Sequence, residues 1–131
     1  MFGRRVAPLL KVTAQRLGGD LMVSIENDGR GVAIGPYVSL HIDGNVRVDS
    51  PDHSGNWPLP RRSQSGNYHR NPVFGGDATL MIHPGTSMEI ARVDSEHGKA
   101  VRITFRIAAQ GSLVREGVLN IPADSFDVYK A

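Results

Sequence analysis

Hydrophobic and polar residues alternate with a period of two along most of this chain. Leu10, Val12 and Ala14 alternate with Lys11, Thr13 and Gln15; after "LGGD", Leu21, Val23 and Ile25 alternate with Met22, Ser24 and Glu26. Successive side chains of a strand point to opposite faces, so each run predicts a strand with one face toward a core, and the two together predict a hairpin. Val38, Leu40 and Ile42 form the apolar face of the next strand, with Tyr37, Ser39, His41 and Asp43 on the other. The "DGN" that follows is a hairpin signal, because both central residues tolerate positive φ; it predicts that Val46 and Val48 run back beside that strand. Further strands are expected at Ala78, Leu80 and Ile82, at Met88 and Ile90 after "HPG", and at Val101, Ile103, Phe105 and Ile107. A last one is expected around Leu113 to Ile121, and the tail "PADSFDVYKA" is expected to add a short turn or edge segment. No apolar stripe with the 3.6-residue period of a helix exceeds two turns, and there is no solenoid or propeller repeat.

About eight short strands at regular spacing predict an all-β fold: an immunoglobulin-like antiparallel two-sheet β-sandwich, with a small β-barrel or jelly roll as the alternative. The 131 residues suit one domain, 1–131, large enough to bury a core without metal or disulfide staples. One stretch breaks the alternation. Residues 50–76, "SPDHSGNWPLPRRSQSGNYHRNPVFGG", are rich in proline, glycine, serine and asparagine, and a loop this long in a compact domain is usually functional or disordered.

Composition narrows the function classes. Hydrophobic residues make up 40% and charged residues 21%, as in a folded domain. The absence of cysteine removes disulfides and thiolate metal sites. A net charge of +2 and a pI near 9.3 are too mild to imply nucleic-acid binding alone. No apolar run is long enough for a membrane helix, and "MFGRRVAPLLKV" lacks the apolar core and cleavage site of a secretory leader, which favours the cytoplasm. The abrupt basic start is equally compatible with a whole protein and with a piece of a larger one.

The run "VSIENDGRGVAIGPYVSLHIDGN" sets an Asn-Asp-Gly-Arg-Gly interruption between two strands. Gly29, Gly31 and Gly35 do not have the spacing of a phosphate loop, and no helix follows to offer its N-terminal amides, so a bulged inter-strand connection is expected. With Asn27, Gly29, Ala33 and the ending Asp43-Gly44, and with "IHPGTSMEI" carrying Pro84 and Gly85, the chain resembles the bacterial cell-adhesion-related domains called CARDB over residues 20–45 and 80–91. The resemblance implies an immunoglobulin-like sandwich that serves adhesion or docking rather than catalysis. The 50–76 insertion and the lack of an acidic, asparagine-rich ending depart from that family.

Candidate chemistry is thin outside the long loop. His41 and Asp43 share a strand face and would supply two metal ligands, but a third is not visible, and solvent-facing residues are the expectation. Asp52, His53 and Ser54 have the residue types of a hydrolytic triad, yet consecutive residues cannot easily form its relay and there is no nucleophile elbow. Arg102 and Arg106, with Arg92 and Arg115, are expected on a face where Glu89 and Glu116 offset them. The long loop sets Trp57, Tyr68 and Phe74 among Arg61, Arg62, His69 and Arg70, pairing aromatic surfaces with planar cations. The predicted binding residues are Trp57, Arg61, Arg62, Tyr68, His69 and Arg70. The competing expectation is that Trp57 and the prolines fold the loop back over the core. The predicted role is that of a non-enzymatic module, with no cofactor or metal, that contacts a protein partner through this loop and a sheet edge. A nucleic-acid-associated accessory domain is the alternative, then a carbohydrate- or metal-binding module. Open sheet edges with few blocking lysines add the expectation of a homodimer through strand addition.

Overall fold

A computed structural model describes residues 6–44, 46–62, 71–95 and 98–131, with only the backbone of residue 95 considered. Its strands are β1 (Leu10–Leu17), β2 (Asp20–Asn27), β3 (Ala33–Asp43), β4 (Val46–Asp49), β5 (Val73–Gly75), β6 (Met81–Ile82), β7 (Ser87–Ser95), β8 (Val101–Gln110), β9 (Arg115–Ile121) and β10 (Tyr129–Lys130). They form two antiparallel sheets of five strands each, β10-β1-β2-β7-β4 and β5-β3-β8-β9, with β6 also on β3. The fold is thus an all-β sandwich and not a closed barrel. The orders β1-β2-β7-β4 and β3-β8-β9 reproduce the two-sheet arrangement of immunoglobulin-like sandwiches.

The period-two phases place the core. Val12, Val23, Ile25, Val38, Ile42 and Ile103 are fully buried between the sheets, where the loss of apolar surface to water drives folding. Two irregularities shift the phase. Val23 stands opposite Ala91 but Ser24 opposite Glu89, so Ile90 is an extra residue in β7, and Ile90 and Ala91 are both buried. In β3 the register to β8 slips between Ile34 and Tyr37, around Gly35 at φ 57°. The expected bulge lies here, where a residue without Cβ takes the left-handed conformation without strain.

One expectation is corrected. Val46 and Val48 do not return beside β3: β4 crosses to the other sheet and pairs with β7. There Arg47 faces Asp94 and Asp49 faces Arg92, cross-strand pairs of opposite charge that favour this register. Asp-Gly marks the turn but does not say to which strand the chain returns. Two further adjustments are smaller. Of the strand expected at Ala78, Leu80 and Ile82, only Met81–Ile82 forms, and Val73–Gly75 makes a short strand inside the irregular 50–76 stretch. The tail forms the expected edge segment: Ala131 and Val12 exchange two backbone hydrogen bonds of 2.8 and 3.0 Å.

Candidate functional site

The described parts of the 50–76 stretch are built into the sandwich. Leu59 and Phe74 are fully buried, and the Trp57 ring packs against the core with its centroid 5.6 Å from that of Phe74, tilted by 46°. Arg61 holds its guanidinium carbon 5.0 Å from the centre of the Trp57 ring, a cation over an aromatic face. Backbone pairing then clamps the two limbs together. Arg62 N–H donates to Val73 O at 2.7 Å, Gly75 N–H to Pro60 O at 2.9 Å, and Arg61 bridges Phe74. The Arg62 Nε–H adds a bond to Gly75 O at 2.9 Å. The described chain stops at Arg62 and resumes at Asn71 on the sandwich: Asn71 meets His41, and buried Pro72 accepts from Leu40 N–H at 3.0 Å.

Of the predicted binding residues, the structure brings Trp57, Arg61 and Arg62 together at this clamp; Tyr68, His69 and Arg70 lie outside the described residues. Trp57 is half-buried and stacked on Phe74, so its ring supports the clamp from within, as the fold-back expectation had it. Arg62 is exposed.

The other candidates resolve into structural contacts. His41 and Asp43 do share a face, with Nε2 and Oδ1 3.0 Å apart, while His41 Nδ1 meets Asn71 Oδ1. Both ring nitrogens thus already have protein partners. No group of three or more histidine and acidic side chains is arranged to hold a metal among the described residues. In "DHS" the acid and the serine meet each other while the histidine turns away. Asp52 accepts hydrogen bonds from the Ser54 amide at 3.0 Å and hydroxyl at 2.5 Å, and from the Ser50 hydroxyl at 3.3 Å. These donors hold its carboxyl below the usual carboxylate range, the Ser54 hydroxyl contributing most. His53 turns the other way, to Asp20 at 3.1 Å, so no nucleophile–base relay exists here. The expected basic face is divided between the sheets: Arg106 on β8 lies 3.6 Å from Glu116 on β9, Arg92 on β7 of the other sheet bonds Glu89, which raises the arginine's pKa, and Arg115 turns to the Leu10 carbonyl.

The Asn-Asp-Gly-Arg-Gly connection is a clasp. Asn27 is fully buried; its Oδ1 accepts from Leu9 N–H at 3.2 Å and Gly29 N–H at 3.0 Å, and its Nδ2 donates to Gly31 O at 2.8 Å and Ile82 O at 2.9 Å. Every hydrogen-bonding position of the amide is used. The Asn27 carbonyl also accepts from Gly85 N–H at 2.8 Å, so the "HPG" turn meets the connection at this residue. At Gly31 a Cβ would stand 2.2 Å from Val6 O, which allows the 6–9 segment to lie directly on the connection.

Arg16 was not singled out by its sequence. It is buried on the core face of β1, where its Nη2 donates to the carbonyls of Lys99 and, at 3.3 Å, Pro122; its Nε–H has no partner among the described residues. The signal was its phase: 10, 12, 14 and 16 share a face, and the fourth is an arginine that closes one end of the sandwich.

Comparison with models of known protein families gives no match, and neither does comparison with curated proteins. No helix among the described residues is long and apolar enough to cross a membrane.

Proposed function

We propose that this chain is a non-catalytic binding module that holds a protein partner with its 50–76 loop and the adjoining sheet edge, the docking role that the CARDB resemblance implies. The observation that supports it is the clamp. The segments on either side of residues 63–70 are fixed to each other by backbone hydrogen bonds between Arg62 and Val73 and between Gly75 and Pro60. A rigid base lowers the conformational entropy lost on binding, which is the gain that preorganisation gives an interface loop. The sequence between the two segments holds Tyr68, His69 and Arg70, and Arg62 at its start is exposed. Arginine forks pair with carboxylates, so an acidic patch is the partner surface this loop fits.

The test is cross-linking of the full chain in its source cells, followed by identification of the attached proteins. A chain carrying Tyr68→Ala and Arg70→Ala is expected to lose those adducts while keeping the wild-type melting temperature. Adducts retained at wild-type yield would exclude the loop as the contact.

A further inference from the structure

The far edge of the second sheet carries a different surface. Three of the four sheet edges are short or covered: β4 has four residues with Arg47 and Asp49 on it, β5 is flanked by Arg61 and Arg62, and β1 is paired along Val12–Ala14 by the tail. β9 differs. It is seven residues long, pairs only with β8, and its outer side has no backbone partner among the described residues. It holds neither lysine nor proline, the usual devices against strand addition.

Exposed apolar side chains gather around this strand. Leu113 and Val114 just before it and Val118 within it are exposed, Leu113 by 88%. An apolar fringe along an open strand edge marks an association surface.

We infer that β9 is a self-association edge, which pairs antiparallel with β9 of a second copy about a twofold axis through Val118. The sequence of the strand is self-complementary in this register. Glu116 and Asn120 are exposed and share the outer face with Val118, so Val118 faces Val118 of the second copy and each Glu116 faces Asn120, an amide donor opposite a carboxylate. The same register sets Val114 and Leu113 of each copy alongside Pro122 and Ala123 of the other, apolar against apolar. Sliding by two residues sets Glu116 opposite Val118 or Pro122 instead and loses both matches. Because β5 and β9 lie at opposite ends of the sheet order, the dimer leaves the two loop clamps free at its outer ends.

Sedimentation equilibrium of the full chain over a wide concentration range tests this inference. The wild type is expected to move from 14.2 kDa toward twice that mass as concentration rises. Val118→Lys, which sets two like charges face to face at the axis, is expected to stay at 14.2 kDa with native circular dichroism. The chain has no cysteine, so a single introduced thiol reports the register. Val118→Cys is expected to form a disulfide-linked dimer under mild oxidation, and Asn120→Cys is not. A wild type that remains at 14.2 kDa throughout, or a Val118→Lys chain that dimerises as the wild type does, would overturn the inference. Loss of the dimer in Val118→Lys with partner cross-links intact separates this edge from the loop.

Discussion

The two stretches that interrupt the alternation, 27–32 and 50–76, look alike in composition and differ in what they do. Both are rich in glycine and asparagine, and both join strands. In the first, polarity turns inward: the Asn27 amide is fully buried and binds four backbone groups from three separate segments. In the second, the apolar residues turn inward at Leu59, Trp57 and Phe74, while Arg62 is left exposed. Composition alone does not separate a clasp from a loop base. The direction in which the polar atoms point does.

Asn27→Ala breaks the clasp most severely. It leaves Leu9 N–H, Gly29 N–H, Gly31 O and Ile82 O without the amide; the Ile82 bond is buried and the other three part-buried, and a fully buried unsatisfied group costs about 1–3 kcal/mol. A loss of about 3 kcal/mol or more is expected in denaturant titration; a change below about 1 kcal/mol would show that water replaces the amide without penalty. Trp57→Ala comes next. It removes the ring from Phe74 and the cation contact of Arg61, and about 2 kcal/mol is expected for a half-buried aromatic, against 3–5 for a core one. Arg61→Ala alone should cost about 1 kcal/mol, the scale of a cation–π pair between two half-buried side chains. Equal losses in the two variants would mean that the ring does not anchor the clamp.

The smallest effect is on the Ser50–Gly55 turn. The Asp52 carboxyl is held below its ordinary range by its hydrogen bonds, so its contribution is present above the unfolded carboxylate range and is lost as pH falls through the lowered folded value. Amide resonances of Ser54 and Gly55 are expected to shift in acid before the core unfolds, because both donate within this turn, to Asp52 and to the Ser50 hydroxyl. Resonances that move only with global unfolding would contradict this account of the turn.

The sandwich was legible in the sequence wherever one face of a strand is wholly buried. Val101, Ile103, Phe105 and Ile107 alternate with exposed neighbours, because each residue of a central strand sees core or solvent in turn. Legibility ended where tertiary partners decide. The crossing of β4 depends on the charges of β7, some fifty residues on, and β5 is a three-residue strand that needs β3 and Arg61–Arg62 on its two sides. Asn27 was visible as a turn residue, but its burial was not, since nothing local reveals that Leu9 and Ile82 would converge on it. Likewise the residue types of the loop were visible as a binding mixture, whereas the anchoring role of Trp57 rests on Phe74, seventeen residues away.

The most direct test of the separation between fold and binding replaces residues 63–70 by a short glycine-serine linker and follows unfolding and partner cross-linking in the same chain. The account predicts a denaturation midpoint at the wild-type value, since the clamp from Trp57 to Arg62 and from Val73 to Gly75 is untouched, together with loss of the cross-linked partner. A midpoint lowered as far as in Asn27→Ala, or a partner retained in full, would contradict it.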